Sequence, residues 1–174
     1  MHQASLDRFN EAPARTAEAL LLGCCRSRRW AERIAAHRPY PDPDALLAAA
    51  DEASYDLSVQ EIADALARED PPGPGADTPP AAQTALLAAH DTYENRFGHP
   101  FVICLDAHAP EEHLDQTLAG IRFRLGNERD EERAVAADEL RRLARGRLAR
   151  LVREPWTQAA PRTAAPAASP SVAV

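Results

Sequence analysis

The chain has 174 residues, 45% of them hydrophobic and only 5% aromatic, with a formal net charge of −7. That length is a prior for one domain with a real core, built mainly from Leu, Ile, Val and Ala. The acidic balance disfavours sequence-independent nucleic-acid binding, and no apolar run approaches the roughly 18–20 residues of a membrane span.

Taken in chain order, the first clear helical period runs from Pro13 to Cys25, with Ala17, Leu20, Gly23 and Cys24 on one face. Ser27 can cap a helix from Arg28 to Ala36 that stops near Pro39. Asp42-Pro43 reads as a cap followed by proline in the first turn, opening a helix that carries Leu46, Leu47 and Ala50. Ser58-Val59-Gln60-Glu61 fits a capping box, and Ile62, Ala65 and Leu66 follow as a stripe. Glu69 to Pro80 holds five prolines and two glycines and can only be a loop. A helix capped by Thr78 is expected to run to Phe97, with Leu86, Leu87 and Tyr93 inward. Gly98-His99-Pro100 stops it.

Phe101-Val102-Ile103-Cys104-Leu105 is a strand-like run without a partner strand, so it reads as a buried extended connector. A helix from Pro110 to Leu125 places Leu114, Leu118, Ile121 and Leu125 on one row. Asn127 is expected to cap the last helix, which ends near Arg153. The expected architecture is all-α: one compact domain over residues 1–154, with seven or eight helices and one short connector. Residues 155–174, rich in Ala and Pro, read as a disordered tail. Three cysteines with no metal spacing, and no basic-then-apolar leader, point to a reducing compartment and a cytoplasmic protein.

Two places could carry chemistry. On the last helix Arg147 lies within about 20° of Leu140 at about 100° per residue, in the apolar stripe. Arg141, Arg142 and Arg145 read as solvated charges. A guanidinium on an inward face needs an anionic or hydrogen-bonding partner. A structural ion pair with another helix and an anion-binding site stand level. Gly146 beside it costs about 1 kcal/mol of helix propensity against Ala and could make room for a neighbour or ligand. The second place is Arg96 to Cys104, whose extended amides lack ladder partners and must bond to side chains, water or a ligand. His99 within it is a possible proton donor. The six histidines form no metal-ligand pattern, so no metal is expected.

Leu22-Gly23-Cys24-Cys25 with Arg29-Trp30-Ala31, Arg38-Pro39-Tyr40, Tyr93-Glu94-Asn95-Arg96-Phe97-Gly98 with Pro100-Phe101-Val102-Ile103-Cys104, and Arg124-Leu125-Gly126-Asn127 with Glu139 through Leu148 resemble the blocks of the OHCU decarboxylase family. Those enzymes take 2-oxo-4-hydroxy-4-carboxy-5-ureidoimidazoline to S-allantoin in urate breakdown. The resemblance implies an all-helical fold, a homodimer, no cofactor, and a ureidoimidazoline-type anion as ligand. It implies that Gly98, Phe101, Val102 and Ile103 hold the substrate through their backbone, together with Gln83 and Arg147. The family's catalytic His-Pro is replaced: the chain reads Ala67-Arg68-Glu69-Asp70-Pro71-Pro72-Gly73 there. Of its Ser-x-x-Glu-Gln motif, only Gln83 survives in Pro79-Pro80-Ala81-Ala82-Gln83. A buried Glu69, with a pKa raised by burial, and His99 are the two groups that could supply the proton instead. The alternative is a paralogue that binds a ureide-like anion without catalysing this step.

Overall fold

A computed structural model describes residues 2–153. Alanine is the commonest of these residues, and the chain folds as eight α-helices: α1 (His2–Glu11), α2 (Ala14–Cys24), α3 (Arg28–Ala36), α4 (Pro43–Tyr55), α5 (Val59–Leu66), α6 (Pro80–Phe97), α7 (His113–Arg124) and α8 (Arg129–Arg153). A single 3-10 turn, Pro110–Glu112, precedes α7. No strand occurs among the described residues, and no helix there is long and apolar enough to cross a membrane. The tail expected over residues 155–174 lies outside the described residues.

The helix starts follow local chemistry. Ser27 accepts from the Trp30 amide, Asp42 accepts from the Ala45 amide at 2.7 Å, and Ser58 and Glu61 form the reciprocal capping box. Two expected caps are corrected. The residue before α6 is Pro79, with no side-chain cap, and the backbone carbonyl of Thr78 instead accepts from Gln83. Asn127 precedes α8 by two residues, and its amide donates to the Glu132 carboxylate.

The first helix was not foreseen, because Leu6 and Phe9 are the only large apolar residues of α1; both are buried. Besides the burial of Leu6 and Phe9, the Arg38-Pro39-Tyr40 turn holds the end of α1. The Arg38 guanidinium donates to the carbonyls of Phe9 and Ala12, each at 2.7 Å, and Asn10 and Tyr40 exchange two hydrogen bonds of 2.9 Å. These satisfy carbonyls left open at the helix end.

Three inward rows also differ by one residue from expectation. They are Ala17, Leu21 and Cys24 on α2; Leu86, His90 and Tyr93 on α6; and Thr117, Ile121 and Arg124 on α7. Leu87 is 63% exposed. One residue turns a helix face by about 100°, and an inward row containing His or Arg does not look apolar in sequence.

Helix α8 joins the core regions. Ala144, Leu148 and Val152 pack with the apolar faces of α1 to α4, where the Trp30 indole also donates to the Ala50 carbonyl at 3.0 Å. Ala136 and Leu140 pack with Ala65, Leu66 and Val102. Tyr93, Phe101 and Ile121 form a third cluster between α6, the connector and α7. Arg141 and Arg145, read as solvated, both pair with Asp51 and so tie α8 to α4.

Cys24 and Cys25 sit inside the first core, and burial pushes their thiols up to about 12 and about 11. A thiol whose pKa is higher folded than unfolded holds its proton longer in the native state. Stability should therefore be flat below the unfolded thiol value of about 8.5 and fall as pH rises above it. Urea midpoints at pH 7, 9 and 10 should show this decline. At pH 8 a thiol-labelling dye should react first with the part-exposed Cys104, and with Cys24 and Cys25 only on unfolding.

Candidate active site

Arg147 sits on α8 one turn after Leu143 and finds its partner at the end of α5. Past Leu66 the chain tightens, with the Glu69 amide donating to the Leu66 carbonyl at 3.0 Å. This turns the Glu69 carboxylate inward, where its side chain is 1% exposed. Arg147 then donates to both oxygens, Nη1 to Oε1 at 3.0 Å and Nη2 to Oε2 at 2.8 Å, and Nη1 also donates to the Cys24 carbonyl at 3.1 Å. This fork-to-fork geometry is the strong, directional form of a charge-assisted pair. It holds the Arg147 guanidinium more firmly protonated, first through the hydrogen bonds to Glu69. The Arg147 side chain is 30% exposed, so its place in the stripe half-buries it. The anion that meets Arg147 in this structure is the Glu69 carboxylate.

The connector begins at Gly98, which closes α6 in the left-handed region (φ 82°), with its amide bonded to the Glu94 carbonyl at 2.7 Å. His99 is half-buried. Its Nδ1 lies 2.9 Å from the Pro100 carbonyl, which can only accept, so Nδ1 carries the hydrogen. Its ring meets the Tyr93 ring edge-on, at 5.6 Å between centroids. Phe101 and Val102 are buried, and Ile103 is partly buried. The backbone groups of this extended run are met by side chains: the Val102 carbonyl accepts from Arg124 at 2.6 Å, and the Cys104 amide donates to Glu139 at 2.7 Å.

Further on, Asp106 comes so close to Gly146 that a Cβ there would collide with its carboxylate, and Arg150 donates to that carboxylate at 3.0 Å. The neighbour for which Gly146 makes room is therefore Asp106. Glu69 and the connector are thus both bound to α8, but the hydrogen bonds of Arg147 go to Glu69 and Cys24 and none goes to Phe97–Ile103 among the described residues. Gln83 hydrogen-bonds to neither among the described residues. Its amide donates to the Thr78 carbonyl at 2.8 Å and pins the 69–80 loop to α6.

The sequence reading missed a buried polar network behind the connector. Glu132 is 0% and Arg124 5% exposed. Glu132 Oε1 accepts from Arg124 Nε at 2.8 Å and from the Tyr93 hydroxyl, and Oε2 accepts from Asn127 at 2.8 Å. The Arg124 guanidinium lies over the Phe101 ring, 4.5 Å from its centroid. Burial, then the bond to Glu132, push the Tyr93 hydroxyl up. A signal was present: Glu132 precedes Ala136, Leu140, Ala144 and Leu148 in steps of four, on the buried row of α8. His90 was also passed over. Its Nε2 lies 3.0 Å from the Pro72 carbonyl and so donates, while Nδ1 is buried without a hydrogen-bond partner.

No group of three or more His, Cys, Asp or Glu side chains among the described residues could hold a metal ion. The sequence profile of the OHCU decarboxylase family matches residues 10–71 and 73–149. Among solved structures, a crystal structure of OHCU decarboxylase in the presence of (S)-allantoin is similar, with a TM-score of 0.67 and 20% identity, over 76% of this chain and 96% of that chain. A crystal structure of (S)-allantoin synthase is similar with a TM-score of 0.63 and 18% identity, over 82% of this chain and 52% of that chain. The chain thus spans about half the length of that synthase. At these identities the likeness is one of fold. No curated protein sequence matches the chain.

Removing one partner of a buried ion pair leaves the other charge uncompensated, which typically costs about 3–5 kcal/mol. Glu132→Gln should therefore lower unfolding free energy in urea by about that amount. Tyr93→Phe, which removes one hydrogen bond and leaves the ion pair, should cost about 1 kcal/mol. A Glu132→Gln loss no larger than that of Tyr93→Phe would contradict the network.

Proposed function

Because the chain belongs to the OHCU decarboxylase family, we propose that its ligand is a ureidoimidazoline-type anion and that it decarboxylates this ligand to S-allantoin, as a cytoplasmic, cofactor-free homodimer. The observation that carries the reading is the family match over residues 10–71 and 73–149, which includes both the connector and Arg147.

In this reading the backbone of Gly98, Phe101, Val102 and Ile103 faces the heterocycle, with Gln83 at its edge and Arg147 toward its charge. The carbon–carboxylate bond breaks and carbon dioxide leaves. The electron pair stays on the ring carbon and takes up a proton on one face. An enzyme assists by orienting the carboxylate and stabilising the developing charge. Glu69, with both oxygens accepting from Arg147, acts as a counter-ion and not as the proton donor proposed for a free buried acid. His99 is the remaining candidate: with Nδ1–H engaged by the Pro100 carbonyl, it gives a proton from Nε2 as the imidazolium, having first taken that proton from solvent. A specific observation favours a second reading, a ureide-binding paralogue without catalysis: Glu69 is locked to Arg147, and Ala82 stands where the family carries its glutamate.

A positioned acid or base is typically worth about 10²–10⁴-fold in rate. Activity should therefore fall short of a member with the usual histidine by about that factor, while exceeding the substrate's spontaneous decay. The measurement is the chirality of allantoin formed from freshly generated substrate. A protein-dependent excess of S-allantoin that falls in His99→Ala is the expected result. Racemic allantoin at the background rate would reject catalysis, and tight allantoin binding alongside it would establish the second reading.

A further inference from the structure

We infer that Glu69 is an internal carboxylate ligand of Arg147, competing with any external carboxylate for the guanidinium. The inference rests on reading Arg147 as an anion site. It adds that, in the resting protein, the chain's own side chain already fills the site.

The observations are these. Both Glu69 oxygens are engaged, at 3.0 and 2.8 Å, so the pair has the geometry of a bound carboxylate and not of a passing surface contact. The partners are unequally exposed: the carboxylate side chain is 1% accessible and the guanidinium 30%. The cation, not the anion, is the member of the pair that reaches solvent. Among the described residues no hydrogen bond other than those from Arg147 holds the Glu69 carboxylate. By contrast Glu132, in the other buried pair, is held by three side chains. Glu69 is also followed by Asp70-Pro71-Pro72, a loop rather than helix, so its carboxylate is tethered to irregular backbone.

An arginine presents five N–H groups. Glu69 takes two of them, one on Nη1 and one on Nη2, and the Cys24 carbonyl a third, leaving Nε–H and one Nη2–H. An external carboxylate cannot form its own fork at Nη1 and Nη2 while Glu69 occupies them, and it meets like charge there. A neutral amide or ureide carbonyl needs one N–H donor and meets neither obstacle. A carboxylated ligand therefore takes the Nη1–Nη2 fork only by displacing Glu69, whereas a ureide carbonyl can bind beside it.

The test uses acetate, so it does not depend on decarboxylation. In Glu69→Ala, millimolar acetate should raise the melting temperature saturably, and chloride at equal ionic strength should not. Neither wild type nor Glu69→Ala/Arg147→Gln should respond to acetate. A folded Glu69→Ala that responds to acetate no more than to chloride would overturn the inference, as would a wild type that responds equally. Should Glu69→Ala not fold, Glu69→Gln, which keeps the volume and drops the charge, serves instead. Calorimetry should then give an acetate affinity about tenfold or more above wild type. Equal affinities would overturn the inference.

Discussion

The arrangement depends first on the buried pair between Arg124 and Glu132. An extended, apolar segment inside an all-α protein has no sheet to satisfy its backbone, and an unsatisfied buried group costs about 1–3 kcal/mol. Arg124 answers this with one N–H to the Val102 carbonyl and its flat face on the Phe101 ring. That guanidinium can be buried only because Glu132 neutralises it, and Glu132 only because Tyr93 and Asn127 complete its hydrogen bonds. Such a pair is poor evidence of net stabilisation, since desolvating two ions offsets most of their attraction. Its effect is on position: it joins α6, α7, α8 and the connector at one point, which fixes where Phe101 and Val102 lie.

The second ion pair of the interior is built differently. Arg147 and Glu69 also join distant parts of the chain, but on one side this pair reaches solvent. A pair closed from water holds structure; a pair with an open cation can exchange its anion. Under the proposed function, the connector is the ligand-holding half of a decarboxylase site, and the family match covers it. The replaced His-Pro, the alanine at position 82 and the engaged Glu69 speak for a proton-handling half that has been rebuilt or lost.

The helical frame was legible because its signals are local. Capping residues at Ser27, Asp42 and Ser58 mark helix starts, and the 140–144–148 row marks the buried face of α8. The prominence of Arg147 was legible for the same reason: a charge on an apolar row is conspicuous. What escaped were features set by partners far away in sequence. Helix α1 depends on Arg38, 29 residues beyond Phe9. The inward row of α7 ends in an arginine whose burial makes sense only beside Glu132. Local sequence states that Arg147 needs an anion, but not which one. Only the turn after Leu66 brings Glu69 to it, and that turn follows from the packing of Leu66 against Val102 and Leu140.

The central claim is that ligand-holding groups persist around an arginine already bound by the chain's own carboxylate. A crystal structure of the unmodified chain grown with (S)-allantoin tests it most directly. The account predicts the ureide against the backbone of Phe97–Ile103, with Glu69 still within hydrogen-bond distance of Arg147. Allantoin bound elsewhere, or Glu69 turned out to solvent with Arg147 open in ligand-free crystals, would contradict it.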